Sequence, residues 1–595
     1  MVKAVEMARL ILSGIPVSPG IAIGKTGHMQ RPALRRARMS IGADAVETEL
    51  NRLYEAAREV RDELARTRES VPGELSEQKD VIASHMLICQ DPKLLQGAAA
   101  YIRERHMSAV RALEKTGESL CAAFRAMDDP YLRDRVQDIR TVIGRMQSCL
   151  YGNRHIAAER ESPAVLLAEE LSPVDAIELK LDRLLSLVTV EGGQTTHTAI
   201  LARSLHIPAI VGVAGLLDLS REDELVIIDA FKGRVYLDPN EAELMEFAQR
   251  QEEYSRWREQ VRRSTRLPAE TRDGVRIEVQ ANIEEARDCA SALESGAEGI
   301  GLCRTEFAYL KSKNLPEESA LYEEYRAIAQ SQAPARVIFR TLDLGADKMS
   351  DQHRALGEPN PALGLRAIRY CLRHQDVFRT QLRAILRAGV YGNVSVMLPM
   401  ITGLQEVAAS KRIIKELATE LLAEGMACDP DIPVGVMIEV PSAVMIADAL
   451  AGEVDFFSIG TNDLIHYLLA IDRRNAHVAY LHEPLHPAVV RAVKHVVDCA
   501  RHAGISVAVC GELVADPYCL PVFLGLGVDV LSASPQFVPV IKHLVRKLRK
   551  EDCTQLAHSV LMTPDVAAAN RMVTQALFDV LREDLDFYTT MIRTA

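Results

Sequence analysis

The sequence predicts an α/β protein. A small α/β domain (residues 1–32 and 152–238) is interrupted by an inserted α-helical subdomain (33–151), and a linker helix (239–268) leads to a C-terminal (β/α)8 TIM barrel (269–595). Three observations carry this reading. Beyond Gly274, short apolar runs alternate with helical stretches: Val275–Ala281, Gly299–Leu302, Arg336–Phe339, Val394–Leu398, Val434–Ile438, Phe456–Ile459, Ser506–Val509 and Val528–Leu531. Strands alternating with helices build a parallel sheet, and eight of them close into a barrel. From about Ala33 to Tyr151, apolar residues recur at spacings of three and four, with abundant Glu, Arg and Ala and few strand-like runs. From Pro239-Asn240 to Pro268 the chain reads as one long polar helix holding the only tryptophan, Trp257.

Strand-like segments flank the helical insertion, with Gly20–Gly24 before it and Ala164–Leu167, Arg183–Val190, Ala209–Val213 and Leu225–Ile228 after it. Within the insertion, Asp91-Pro92 and Asp128-Asp129-Pro130 punctuate the helices, and Gly152-Asn153 follows the last of them. The most informative stretch is Gly192-Gly193-Gln194-Thr195-Thr196-His197-Thr198-Ala199. The run from Leu184 to Val190 reads as a buried strand, the two glycines as a tight turn, and Thr195 or Thr196 as the N-cap of a helix lined by Ile200, Leu201 and Leu205. His197 then sits on the first turn. There the unpaired N–H groups and the positive end of the helix dipole disfavour imidazolium and can receive an anion such as a phosphoryl group.

Composition narrows the function classes. A formal net charge of −12 argues against general nucleic-acid binding. No run approaches the roughly 18 uncharged apolar residues of a membrane span. Lys3, Glu6 and Arg9 break up the apolar start, so no cleaved leader is expected and a cytosolic location is. Eleven cysteines without a Cys-x-x-Cys fit scattered reduced thiols better than a disulfide framework or a zinc site. Gly24-Lys25-Thr26 mimics the end of a P-loop, but Pro19 stands where that motif needs its first glycine.

The predicted barrel strands end in chemistry. The second runs into Cys303-Arg304-Thr305-Glu306, the third into Arg340-Thr341-Leu342-Asp343 and the fifth into Glu439. The sixth runs into Gly460-Thr461-Asn462-Asp463 and the seventh into Cys510-Gly511-Glu512. Barrel enzymes work at this rim. Glu439 and Asp463 offer hard oxygen ligands suited to Mg²⁺ or Mn²⁺. Arg304, Arg340 and Arg473, with Lys348, suit a multiply charged phosphate, and transfer of a phosphoryl group needs charge neutralisation and alignment above all.

These segments also resemble a known family. Gly-Gly-x-Thr-x-His-Thr-Ala-Ile-Leu-Ala-Arg around His197 is similar to the phosphohistidine signature of the phosphoenolpyruvate-utilising enzymes. That family includes Enzyme I of bacterial sugar phosphotransferase systems, pyruvate phosphate dikinase and phosphoenolpyruvate synthase. Gly-Leu-Cys-Arg-Thr-Glu-Phe at Gly301, Arg-Thr-Leu-Asp-Leu-Gly-Ala-Asp-Lys at Arg340, Asn-Pro-Ala-Leu-Gly-Leu-Arg at Asn360, Phe-Phe-Ser-Ile-Gly-Thr-Asn-Asp-Leu at Phe456 and Cys-Gly-Glu-Leu at Cys510 resemble its substrate barrel. The resemblance implies a swivel-type phosphohistidine domain in which His197 is phosphorylated, with Arg203 at a signature basic position. It further implies that Arg304, Arg340, Lys348, Arg366, Asn462 and Arg473 bind phosphoenolpyruvate, Glu439 and Asp463 hold Mg²⁺, and Cys510 protonates the enolate. Gln194 stands in place of the usual arginine, which changes the local charge and not the activity, while Cys303, Leu365 and Ala346 depart from the usual tyrosine, tryptophan and glycine and spare the charged groups.

Domain order resembles the Enzyme I branch, because only a helical insertion of roughly 120 residues precedes the histidine segment where the dikinase and synthase place a nucleotide-binding domain. The resemblance then implies transfer of the phosphoryl group from phosphoenolpyruvate through His197 to the phosphocarrier protein HPr, with release of pyruvate. It also implies HPr docking on the insertion, where Met86, Leu87 and Ile88 follow His85, and a homodimer formed through the barrel.

Overall fold

A computed structural model describes residues 10–29, 40–70, 76–125, 130–151, 164–171, 184–193, 196–205, 207–311, 314–344, 360–472, 475 and 477–594. The chain divides into two compact units, Met1–Tyr254 with Arg593–Ala595 and Ser255–Ile592.

In the first unit, eight strands form one mixed sheet: β1 (Ile11–Ser13), β2 (Ile15–Ser18), β3 (Ile21–Met29), β4 (Ala164–Ala168), β5 (Leu184–Thr189), β6 (Ala209–Val211), β7 (Leu225–Asp229) and β8 (Arg234–Leu237). Their order is β1-β8-β7-β3-β4-β5-β6-β2. β3, β4, β5 and β6 run parallel, while β7 and β8 add antiparallel neighbours. Five strands match the sequence expectation, and β1, β2 and β8 are additions. The two edge strands β1 and β2 are three and four residues long, and β2 carries Pro16, whose missing N–H suits an edge position.

Between β3 and β4 lie helices α1 (Val46–Ser70), α2 (Ser76–Cys89), α3 (Pro92–Arg105), α4 (Ala109–Arg125) and α5 (Pro130–Leu150). They have their own core, with Leu53, Leu64, Ile82, Leu94, Ile102, Leu113 and Met146 almost wholly buried. Asp91-Pro92 acts as the start signal it resembles: the Asp91 carboxylate accepts the Lys93 N–H at 2.7 Å, and Pro92 takes the first helical position, where no N–H is needed.

Helix α6 (His197–Leu205) follows a turn in which Gly192 has φ +124°. Ala199, Leu201 and Ala202 bury its inner face against Val17, Leu166, Leu187 and Val211. Helix α7 (Glu241–Ser264) is polar on average, yet it buries Phe247, Tyr254, Trp257 and Val261. Phe247 packs with Ile21 and Ile227, and Tyr254 meets Phe231 edge-on at 4.9 Å. Three residues further on, Trp257 meets Phe587 and Tyr588 of the C-terminal helix at 5.7 and 5.1 Å. The unit boundary falls between these two sets of contacts.

The second unit is the barrel. Strands β10 (Arg276–Ile283), β11 (Ile300–Arg304), β12 (Val337–Arg340), β13 (Val394–Leu398), β14 (Val434–Ile438), β15 (Phe456–Gly460), β16 (Ser506–Cys510) and β17 (Val530–Ala533) pair in parallel in sequence order, and β17 closes on β10. The short β9 (Ala269–Glu270) adds antiparallel to β10. β13, β14 and β15 are buried along their whole length, which is why they read as unbroken apolar runs instead of alternating ones. Leu302, Ile338, Met397, Met437, Phe456 and Cys510 fill the interior. Register sets Arg304 opposite Arg340 and Gly460 opposite Cys510, so the polar strand ends share the C-terminal rim above this plug.

Candidate active site at the barrel mouth

The rim encloses a cavity of about 570 Å³ lined by Arg304, Arg340, Arg366, Glu439, Asn462, Asp463 and Cys510, together with Glu306, Asp343 and His466. Arg340, the last residue of β12, is held at both ends. Its Nη2 donates to Glu306 Oε1 at 2.8 Å, and its Nη1 lies 3.1 Å from Asp343 Oδ2. Arg366 shares the second partner: Nη2 donates to Asp343 Oδ1 at 2.9 Å and Nε at 3.2 Å, and Nη2 is 3.4 Å from Asp463 Oδ2. Burial disfavours both cations. The surrounding carboxylates outweigh it and raise both guanidinium pKa values, through Glu306, Asp343 and Glu439 for Arg340, and Asp343 and Asp463 for Arg366. Two partly buried arginines thus stay charged in an oriented fork.

Glu439, just beyond β14, is 1% exposed. Its Oε1 accepts the Met400 N–H at 2.7 Å, and that N–H is aimed by a left-handed Met400 (φ +56°), an uncommon conformation for a residue with a side chain. Gly460 stands beside it because a Cβ there would lie 2.7 Å from Glu439 Oε2. Burial first, then the charges of Asp343 and Asp463, push the Glu439 carboxyl up to about 8, against the opposing pull of Arg340. Cys510 ends β16 with its thiol donating to the Ile459 carbonyl at 3.5 Å. Burial raises its pKa and holds it as the thiol at neutral pH. Asn462 and Asp463 begin the helix α8 (Thr461–Leu468).

A second layer fixes these groups. The Thr305 hydroxyl donates to the Arg340 carbonyl at 2.9 Å, and buried Gln381 donates to Thr305 at 2.9 Å while accepting the Leu342 N–H at 2.9 Å. The Asp343 N–H donates to Glu306 at 3.1 Å. Directly after Arg366, Ala367 is left-handed at φ +53°.

In the first unit, His197 is the first residue of α6 and Thr196 immediately precedes it. The Thr196 hydroxyl donates to the Gly193 carbonyl at 2.8 Å, and buried Thr198 donates to the Leu171 carbonyl at 3.3 Å. Among the described residues no helix is long and apolar enough to cross a membrane, and no group of three or more His, Cys, Asp or Glu is arranged to hold a metal.

Three family models match the chain: the N-terminal part of the PEP-utilising enzymes over residues 13–135, their mobile domain over 160–233 and their PEP-binding domain over 258–550. The chain is 39% identical to the phosphoenolpyruvate-protein phosphotransferase of Geobacillus stearothermophilus over 555 residues, covering 92% of this chain and 95% of that one. It is 36% identical to the enzyme of the same name from Haemophilus influenzae, covering 96% and 99%. The chain belongs to the phosphoenolpyruvate-protein phosphotransferase family.

In this phosphotransferase-family chain, the mouth brings together Arg304, Arg340, Arg366, Glu439, Asn462, Asp463 and Cys510, all expected from the sequence. Lys348, Arg473, Thr195, Gln194 and Ala346 lie outside the described residues. Sequence reasoning gave no role to Asp343 and Glu306, the carboxylates that orient the arginines, although both stand at strand ends beside an arginine. Gln381, Met400 and Ala367 gave no signal, because neither a buried amide on a helix nor a left-handed φ at a non-glycine residue shows in residue type.

Proposed function

We propose that this chain moves the phosphoryl group of phosphoenolpyruvate onto His197 and then onto a histidine of the phosphocarrier protein HPr, releasing pyruvate. The observation that supports this most is the meeting of two braced arginines, two metal-type carboxylates and a protonated thiol on one cavity. Arg304, Arg340 and Arg366, with Lys348, Arg473 and Asn462, clamp the phosphate and carboxylate of the substrate through paired N–H donors.

Glu439 and Asp463 would hold Mg²⁺. Two hard oxygens beside an open cavity suit an ion that keeps most of its positions for substrate oxygens and water, and the burial and neighbouring carboxylate charges that raise the Glu439 pKa are what a divalent cation would offset. Bound there, Mg²⁺ neutralises charge on the transferred phosphoryl group. From the start of α6, His197 attacks phosphorus in line as the bond to the enol oxygen breaks. The Cys510 thiol then gives its proton to the enolate carbon, forming pyruvate, and regains one from solvent. Phospho-His197 passes the group to HPr on the helical insertion, where Leu87 is 71% exposed between Met86 and Ile88, which pack on the bundle core. A homodimer through the barrel and a cytoplasmic location complete the reading.

Incubation with radiolabelled phosphoenolpyruvate and Mg²⁺ tests it. The expected label is acid-labile, lies on His197 and moves to added HPr. Label surviving in His197→Ala, or label taken from ATP instead, contradicts it.

A further inference from the structure

Tyr467 lies on α8, four residues after Asp463 and five after Asn462, and it belongs to neither the charged set nor the resemblance motifs. Its hydroxyl donates to the Ala362 carbonyl at 2.6 Å and accepts from Arg366 Nη1 at 3.1 Å. The donor side of that hydroxyl is therefore occupied by a main-chain acceptor, which leaves its lone pairs facing the guanidinium.

A guanidinium carries five N–H groups. On Arg366, Nε and one Nη2 hydrogen go to Asp343, the other Nη2 hydrogen faces Asp463, and one Nη1 hydrogen goes to Tyr467. Among the described residues, the second Nη1 hydrogen is the one donor left for a ligand in the cavity. Among the described contacts, the nitrogen that Tyr467 grips is thus the one with an N–H still open to an incoming anion.

We propose that Tyr467 is a positioning residue for Arg366: it helps fix the plane of the guanidinium so that the remaining Nη1 N–H points at the substrate, and it ties the Pro361–Leu363 turn to the helix that carries Asn462 and Asp463. The proposal rests on the reading of Arg366 as a substrate-binding residue. Tyr467 itself transfers nothing, and its effect is on binding more than on chemistry.

Tyr467→Phe deletes only the hydroxyl and keeps the ring. One hydrogen bond to a charged group corresponds to about a tenfold change or more in affinity. The variant should therefore raise KM for phosphoenolpyruvate about tenfold while kcat falls no more than about threefold, with a cooperative melting transition well above the assay temperature to show intact folding. Arg366→Lys, which keeps a cation but loses the fork, should also raise KM, and adding Tyr467→Phe to it should cost nothing more. An unchanged KM in Tyr467→Phe beside a raised KM in Arg366→Lys overturns the positioning role alone, as does full additivity of the two changes. An unchanged KM in Arg366→Lys overturns the substrate role of Arg366 and the proposal with it.

Discussion

At the barrel mouth Arg340 and Arg366 are each held by two carboxylates, whereas at the start of α6 the contacts of Thr196 and Thr198 end on the main-chain carbonyls of Gly193 and Leu171. One region fixes charged side chains through other charged side chains. The other fixes a backbone. The difference suits the two tasks proposed for them: a site that neutralises several negative charges works best with its dipoles already oriented, while a residue that would take up a group and hand it on needs a stable platform. Damage at the mouth should therefore spread through shared partners, and damage beside His197 should stay local.

The most disruptive single change should be Asp343→Asn. It leaves two partly buried guanidinium groups short of a counter-charge beside a buried carboxylate position; breaking a fully buried pair costs about 3–5 kcal/mol, which is the upper bound here, so kcat/KM for phosphoenolpyruvate should fall on the order of 10²-fold. A loss below tenfold in steady-state kinetics would mean the arginines are oriented by something else. Next comes Cys510→Ala, which should slow pyruvate formation on the order of 10²-fold while transfer from phospho-His197 to HPr keeps its rate. Equal losses in both half-reactions would remove the proton-donor role.

A smaller effect concerns pH. Glu439 is raised to about 8, so in the metal-free protein it binds a proton more tightly than in the unfolded chain. Its contribution to stability is then fully present below the usual carboxylate range and fades as pH rises through 8. In chelator, the melting midpoint should decline from pH 5 to 8.5 more steeply in the wild type than in Glu439→Gln. Mg²⁺ uptake should release a proton over the same window, as calorimetry in two buffers of different ionisation heat would register. Parallel melting curves would show that Glu439 is already ionised. The mildest change is Thr196→Ala beside His197, which removes one neutral hydrogen bond of about 1 kcal/mol and should slow labelling by less than tenfold. A loss as large as that of Asp343→Asn would erase the contrast between the two regions.

The same contrast governs what the sequence disclosed. Barrel strands such as Val394–Leu398 and Val434–Ile438 stand in the structure at the bounds read from their apolar runs, because a strand buried on both faces leaves no other pattern. β1 and β8 escaped notice: a short strand with exposed Ile11 and a partner that follows β7 after a tight turn carry too few apolar residues to stand out. α7 was legible as a helix, but its buried stripe from Phe247 to Val261 was hidden under a polar average. At the mouth, Arg304, Arg340, Glu439, Asp463 and Cys510 were readable as reactive groups at strand ends, while Arg366, which follows no strand, was found only through the family resemblance. Their supports were not, because Gln381 and Tyr467 act through distances that only the closed barrel creates, and the left-handed backbone at Met400 and Ala367 is imposed by packing and not by residue type.

The central claim is that phosphoryl transfer is divided between the two units, with the barrel activating phosphoenolpyruvate and His197 carrying the product of that step. A fragment comprising residues 1–254 keeps the helical bundle core, the mixed sheet and the α6 platform within one compact unit. Mixed with phosphorylated HPr, and separately with radiolabelled phosphoenolpyruvate and Mg²⁺, the folded fragment should take label from HPr and none from phosphoenolpyruvate, since the arginine clamp and the Glu439–Asp463 pair are absent. Labelling of the fragment by phosphoenolpyruvate, free of contaminating full-length enzyme, would contradict the division of labour.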